Sequence, residues 1–218
     1  MQKIVFNHKP VLFEETIESL GIRPDGTYID GTAGGGGHSG AILERLTTGK
    51  LLSIDRDPDA IAVVRARLSK YPGSIVAMGN FSEMDRIAAE HSISSVDGVL
   101  LDIGVSSFQL DTAERGFSYH SDAPLDMRMS RSGTSAADLV NTLSWQQLAE
   151  IISRYGEDKS AARIAKGIVA AREKKPIETT AELAEIVRES VPAAGRRAGG
   201  HPARRTFQAL PNPGHGGL

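Results

Sequence analysis

A glycine-rich segment near the amino terminus limits the possible folds of this chain more than any other feature. Asp30–Ser39 contain Gly31 and the run Gly34–Gly37, and they lie between a β-type run, Thr27–Ile29, and a helix-type run, Ala41–Leu46. Glycines between a strand and a helix let the backbone come close to a ligand, as in α/β proteins that bind nucleotides. A flexible turn is the alternative interpretation, but the order of the flanking runs favours a binding loop.

Strand-type and helix-type runs alternate through the first half of the chain. The predicted strands are Thr27–Asp30, Leu51–Asp55, Ile75–Met78 and Val96–Leu101. The predicted helices are Glu14–Leu20, Gly37–Leu46, Asp59–Lys70 behind Pro58, and Ser82–His91, where Ser82 and Asp85 match a capping box. This alternation predicts an α/β fold with a parallel, doubly wound, Rossmann-like sheet.

Two carboxylates stand beside the glycines. Asp30 ends the first strand and Asp55 ends the second, where an acidic side chain typically accepts hydrogen bonds from a ribose diol. The spacing Gly35-x-Gly37-x-x-Gly40 also satisfies the dinucleotide pattern, so a nicotinamide-dependent oxidoreductase is one hypothesis. A carboxylate at Asp30 would repel a pyrophosphate, whereas it suits the ammonium and sulfonium groups of S-adenosylmethionine. The second hypothesis is therefore a class I methyltransferase.

The pattern changes after Asp102. Residues 103–132 are predicted to be ordered loop, and helical periodicity then follows three capping boxes that begin at Ser135, Ser144 and Thr179. We therefore predict the amino-terminal part of a cofactor-binding domain over 1–106, an inserted helical domain over 107–205 and an atypical tail over 206–218.

Lysine and arginine are concentrated in the helical part. Residues 1–158 contain 14 Lys and Arg against 22 Asp and Glu, whereas residues 159–205 contain 11 against 5. A basic region beside an acidic domain favours a nucleic acid as partner, although a solvated helix face explains any single cluster better. A non-enzymatic protein, either an RNA-binding or an inert fragment, is the third hypothesis.

Cysteine is absent from the sequence. Disulfides, thiolate metal sites and the covalent thiol mechanism for methylation of cytosine at ring carbon 5 are therefore excluded for this chain, and we expect no bound metal. No apolar run is long enough for a membrane span and no signal peptide is evident, so we expect a cytoplasmic protein without a membrane partner.

Six motifs, in order along the chain, resemble the bacterial MraW/RsmH family. They are Asp30–Ser39, Asp55–Pro58, Leu101–Asp111, Glu114–Ser118, Pro124–Met129 and His201–Ala209. The resemblance implies a class I methyltransferase sheet with an inserted helical domain. It also implies S-adenosylmethionine-dependent methylation of the exocyclic N4 of a cytidine, in the decoding centre of the 16S ribosomal RNA of the small ribosomal subunit.

The resemblance and the position of Asp30 together define a candidate cofactor pocket. Its residues are Asp30, Gly36, Gly37, His38, Asp55, Phe81, Asp102 and Gln109. The resemblance implies that Asp55 holds the ribose diol and that Phe81 lines the adenine site. Asp102 is also the candidate catalytic group, which would accept a hydrogen bond from the N4 amine. The candidate RNA contacts are Arg128, Arg196, Arg197, Arg204 and Arg205.

The last eight residues, 211–218, depart from the family pattern. They contain two prolines and three glycines, which do not propagate a helix. We expect a carboxyl-terminal truncation with an unrelated tail. The strands that would pair beside the fourth strand would then be missing, and the chain would be a poor enzyme at best.

Overall fold

The computed structural model describes residues 12–103, 112–130, 133–192 and 201–210. The chain divides into two compact units, Met1–Phe108 and Gln109–Leu218. The predicted domain boundaries at residues 106 and 205 stay a prediction. Among the described residues, no helix combines the length and the hydrophobicity needed to cross a membrane.

The first unit contains a four-stranded parallel sheet. Its strands are β1 (Thr27–Asp30), β2 (Lys50–Asp55), β3 (Ser74–Met78) and β4 (Gly98–Leu100), in the order β3-β2-β1-β4. Ile29 in β1 lies opposite Leu52 of β2 on one side and Val99 of β4 on the other. The predicted parallel α/β fold is therefore confirmed.

Helices cover both faces of this sheet. They are α1 (Phe13–Ser19), α2 (Gly37–Leu43), α3 (Pro58–Leu68) and α4 (Met84–Glu90). Successive side chains of a strand point to opposite faces, so Tyr28 packs in a cluster with Ile42 of α2, while Ile29 packs in another with Ile87 of α4. Burial of both faces is typical of a doubly wound parallel sheet, and it explains why the adjacent residues Leu51 and Leu52 of β2 are both apolar and buried.

Several predicted boundaries differ from the structure. Helix α2 ends at Leu43 instead of Leu46, because the N–H groups of Thr47, Thr48 and Gly49 all donate to the carbonyl of Pro24 and turn the chain into β2. The predicted cap at Ser82 is wrong: the side chain of Asn80 accepts the N–H of Ser82, and a 3-10 turn over Phe81–Glu83 precedes α4. Strand β4 is shorter than the predicted Val96–Leu101.

The second unit is helical. Its helices are α5 (Ala136–Thr142), α6 (Trp145–Gly156), α7 (Ala161–Arg172), α8 (Thr180–Ser190) and α9 (Arg204–Ala209). The three predicted capping boxes at Ser135, Ser144 and Thr179 are confirmed, with both reciprocal hydrogen bonds in each. Helix α6 packs against α7 and α9, and α7 packs against α8, around fully buried aliphatic side chains such as Ile152 and Ile164.

Candidate cofactor-binding site

The carboxyl ends of β1 and β4 meet at the point where the strand order reverses. The chain runs from β1 outward to β2 and β3 and then crosses back to β4 on the other side of β1. Open α/β sheets bind ligands at such a switch point, outside the carboxyl ends of the strands. Directly after β1, the N–H of Gly31 donates to the carbonyl of Leu100 at 2.9 Å and joins the two strand ends.

Asp30 lies beneath the glycine loop. Its side chain is fully buried, and one carboxylate oxygen accepts the N–H of Thr32 at 3.1 Å while the other accepts the hydroxyl of Ser39 at 2.6 Å. The hydroxyl of Ser53 on β2 donates in turn to Ser39 at 3.0 Å. Burial raises the pKa of the Asp30 carboxyl above its ordinary value, because the charged form loses its water. Asp30 therefore ties β1, the loop and α2 together, and its direct contact with a cofactor stays a prediction.

Asp55 holds the outer part of the same loop. It ends β2, and its two carboxylate oxygens accept the N–H groups of Gly34 at 2.8 Å and of Asp57 at 2.9 Å. Burial raises the pKa of this carboxyl as well. The side chain is only partly buried, and a carboxylate oxygen can accept more than one hydrogen bond, so Asp55 retains acceptor capacity for a ligand.

The backbone of the loop needs glycine at two positions. Gly34 has φ +51° and Gly36 has φ +74°, in the left-handed region that side chains other than glycine rarely adopt. The outer side of the loop is fixed by Arg67, whose guanidinium donates to the carbonyl of Gly35 at 2.9 Å. Gly36 and Gly37, both predicted to contact the cofactor, are the cap and the first residue of α2.

Most N–H groups of the loop have partners inside the protein. Those of Thr32 and Gly34 donate to the two carboxylates, that of Ala33 donates to the carbonyl of Ile54, and that of Gly36 donates to Ala33. A loop that binds pyrophosphate presents free N–H groups to it. This loop instead has two carboxylates at its base, which disfavours a phosphate ligand.

Phe81 and Asp102 lie at the same carboxyl edge of the sheet as the glycine loop. A methyl group on Gly31 would lie 2.5 Å from Leu101 and 3.0 Å from the β-carbon of Phe81, so the absent side chain lets both residues approach the end of β1. The backbone N–H of Asp102 donates to the hydroxyl of Thr32 at 2.7 Å, and Asp102 is exposed to solvent. The structure thus brings Asp30, Asp55, Phe81 and Asp102 to the same edge of the sheet.

His38 lies at the start of α2 and is only 6% exposed. Its ring stacks on Phe13 of α1, with 5.1 Å between the ring centres. The Nε2 atom is buried and has no hydrogen-bond partner among the described residues. A buried nitrogen without a partner is costly, which fits a group that is completed by a ligand.

Comparison with known proteins decides which protein family shares this arrangement. The model of the MraW methylase family matches residues 5–211. The chain belongs to the MraW methylase family. It is also 55% identical over 208 residues to the ribosomal RNA small subunit methyltransferase H of Lachnospira eligens, across 94% of this chain and 66% of that protein. The MraW-family chain thus spans about two thirds of the length of this relative.

Several predicted residues of the MraW-family chain lie outside the described residues. Gln109, Arg196, Arg197 and the tail 211–218 belong to this group. In the second unit, the guanidinium of Arg128 forms a bidentate ion pair with the carboxylate of Asp126, with N–O distances of 2.9 and 2.7 Å. Arg205 donates to the carbonyl of Glu157 at 3.1 Å, and Arg204 is exposed. The RNA contacts assigned to these arginines stay a prediction.

Sequence reasoning missed the polar residues that support the loop. Thr32 links the ends of β1 and β4 through its hydroxyl, and Ser39 and Ser53 extend the hydrogen bonds of Asp30 to β2. The only signal was the position of Ser53 within an otherwise apolar strand, where a polar side chain needs a partner. Within the described part of the chain, no group of three or more His, Asp or Glu side chains is arranged to hold a metal ion.

Proposed function

We propose that this chain binds S-adenosylmethionine at the carboxyl ends of β1, β2 and β4. We also propose that the protein methylates ribosomal RNA of the small ribosomal subunit. The proposed position is the exocyclic N4 of a cytidine in the decoding centre of 16S ribosomal RNA. Membership of the MraW methylase family and the name of the Lachnospira eligens relative support the reaction class and the RNA. The observation that carries the choice of cofactor is the pair of carboxylates beneath the glycine loop.

The residues at this edge fit the chemistry of S-adenosylmethionine. Asp55 would accept hydrogen bonds from the ribose hydroxyls, and the half-buried ring of Phe81 would pack on the adenine. The buried carboxylate of Asp30 adds negative potential near a ligand with an ammonium and a sulfonium group. The unpartnered Nε2 of His38 adds a polar group near the methionine part.

Methyl transfer to an exocyclic amine depends mainly on placement. The bound cofactor supplies a methyl group on a sulfonium, which is an excellent leaving group. The lone pair of the N4 amine is delocalised into the cytosine ring, so the amine needs orientation and a hydrogen-bond acceptor. Asp102 is exposed at the end of β4, with its backbone fixed on Thr32, and is proposed to accept the N4–H bond as the proton becomes acidic. Because the chain contains no cysteine, ring carbon 5 is not proposed as the target.

The nicotinamide-dependent alternative is not favoured by the geometry of the loop. A pyrophosphate would have to displace Asp30 and Asp55 from the N–H groups of Thr32 and Gly34. A protein that binds RNA or the cofactor without methyl transfer is the second candidate. The partner proposed in both cases is 16S ribosomal RNA or the assembled small subunit in the cytoplasm.

Mass spectrometry of 16S ribosomal RNA tests the proposed reaction. A bacterial strain that lacks its own enzyme of this family would be complemented with this chain, and the nucleosides of the decoding centre would be analysed. Restored N4-methylated cytidine supports the full proposal. No methylation, from a chain that still binds S-adenosylhomocysteine in solution, assigns it to the second candidate. A methyl group at another position contradicts the proposal.

A further inference from the structure

A cluster of aromatic rings lies in the second unit. Tyr119 stacks on His201 with 4.6 Å between ring centres and an angle of 15°, and it also contacts His120 at 4.3 Å. Beneath them, the buried ring of Phe207 meets Tyr119 edge-on at 5.6 Å. We name Tyr119, His120 and His201 the aromatic platform.

The rings of this cluster differ in their exposure to solvent. Phe207 is 4% exposed, Tyr119 is partly buried, and both histidines are exposed. If the rings served only to join two segments of the chain, they would stabilise the fold most with all of them buried, because burial removes apolar surface from water. Here the outer two rings remain in solvent, although Tyr119 already links segment 116–121 to helix α9 through its contact with Phe207. Rings that are open to solvent and supported by a buried aromatic base are the form of surface on which nucleobases stack.

Both sides of the platform are held rigidly. On the side of Tyr119, the hydroxyl of Thr180 donates to the carbonyl of Ser121 at 2.7 Å. Gly116, with φ +71°, lets the backbone lie against the carbonyl of Pro124. On the helix side, α9 packs closely on α6, because a side chain at Gly156 would meet the carbonyl of Arg205 at 2.5 Å. A fixed platform loses little conformational entropy when a ring stacks on it.

The charge around His201 complements RNA. The described segment 201–210 contains Arg204 and Arg205 and no acidic residue. Arg205 is bound to the end of α6, whereas Arg204 is exposed and follows His201 by three residues, with its N–H donating to the carbonyl of that histidine. A guanidinium beside stacking rings provides a phosphate contact next to a base contact.

We propose that the aromatic platform stacks an unpaired nucleobase of the RNA substrate, with Arg204 contacting a neighbouring phosphate. This inference rests on the proposed function, which requires an RNA partner. It adds a position at which single-stranded RNA is preferred over duplex RNA, because bases in a duplex do not present their faces.

The test uses single-stranded RNA of about ten nucleotides with one 2-aminopurine, and the matching duplex. Binding to the unmodified chain should quench the 2-aminopurine fluorescence in the single strand. Tyr119→Leu should weaken single-strand binding by about tenfold and leave duplex binding unchanged, whereas Tyr119→Phe should retain affinity within about twofold. Tyr155→Leu, the same replacement of a partly buried tyrosine on α6, is the matched control and should have no effect.

Three results would overturn the proposal. They are equal effects of Tyr119→Leu and Tyr155→Leu, equal loss of single-strand and duplex binding, and absence of quenching in the unmodified chain. The quenching measurement needs no variant, so it decides the matter even if Tyr119→Leu fails to fold. Binding of S-adenosylhomocysteine, measured on the same samples, separates this inference from the proposed function: stacking without cofactor binding contradicts only the proposed function.

Discussion

The carboxylate of Asp30 accepts the hydroxyl of Ser39 at 2.6 Å inside the protein core, directly below the glycine loop. This hydrogen bond joins the end of the first strand to the first turn of α2. The other carboxylate oxygen holds the N–H of Thr32, so one buried residue fixes both ends of the loop. The shape of the proposed cofactor site therefore depends on a side chain that does not face solvent.

The raised pKa of Asp30 predicts a pH dependence of stability. The stability linked to this carboxyl is fully present below its unfolded pKa of about 3.9 and is lost as pH rises through the raised folded pKa. Asp30→Asn removes the titration, so the difference in free energy of unfolding, unmodified chain minus variant, should decrease from acid toward neutral pH. Urea unfolding at a series of pH values measures this difference, with the exposed Asp25→Asn as control. A difference that does not change with pH would contradict it.

Asp55→Ala should weaken binding of S-adenosylhomocysteine by about 1–3 kcal/mol, the scale of losing hydrogen bonds to a charged group. Two losses combine here: the acceptor for the ribose, and the anchor for the N–H of Gly34. Isothermal titration calorimetry measures the change. Asp59→Ala, at a partly buried aspartate in the first turn of α3, is the control. Unchanged affinity of the Asp55 variant would mean that the ribose is held elsewhere.

Two glycines of the same segment should respond differently to alanine. Gly36→Ala places a side chain at φ +74°, which costs about 1–2 kcal/mol of stability and shifts the loop. Gly40 lies within α2, where a methyl group meets nothing nearer than Leu68 at 4.0 Å. Gly40→Ala should therefore be neutral or stabilise by up to about 1 kcal/mol. Thermal unfolding compares them, and equal destabilisation of the two variants would refute the conformational argument.

The edge strand β4 predicts self-association of the 218-residue chain. Among the described strands it pairs only with β1, and Val99 is 40% exposed, with Val96 and Leu101 at 38% each. An exposed apolar edge pairs readily with another strand, and a lysine there prevents it. Val99→Lys should shift the chain toward monomer in light scattering. Met78→Lys, on the opposite edge strand β3, should not, and equal effects of both would contradict an interface at β4.

Four of the five arginines proposed to contact RNA predict the salt dependence of binding. Replacing Arg196, Arg197, Arg204 and Arg205 by alanine should weaken RNA affinity and flatten its dependence on salt, because fewer counterions are released. The affinity for S-adenosylhomocysteine should stay the same. Fluorescence anisotropy over a range of salt concentrations gives the slope. A slope like that of the unmodified chain would leave these arginines as a solvated surface.

Local signals in the sequence were sufficient where a single interaction decides the structure. β1 was predicted to the residue, and the capping boxes at Ser135, Ser144 and Thr179 formed as expected, because each involves residues only a few positions apart. The Ser82 cap failed because Asn80, two residues earlier, competes for the same N–H group. In β4 the apolar run continues beyond the ladder, which ends where the partner strand β1 ends.

The candidate site was predicted only in part for a similar reason. The glycine pattern and the acidic residues Asp30 and Asp55 were visible, since strand ends and turns have local signatures. The burial of these two carboxylates was not visible in the sequence. Asp30 is buried and Asp55 is partly buried, because burial depends on how α2 and α3 cover the sheet. The links from Ser53 to Ser39 and from Thr32 to Asp102 join residues distant in sequence, which no local pattern reports.

Calorimetry of the unmodified chain with S-adenosylhomocysteine and with NADH tests the central claim most directly. The two carboxylates at the base of the loop favour a ligand with positive charge and disfavour a pyrophosphate. We predict measurable binding of S-adenosylhomocysteine and none of NADH under the same conditions. Tight binding of NADH without binding of S-adenosylhomocysteine would contradict the assignment of the cofactor.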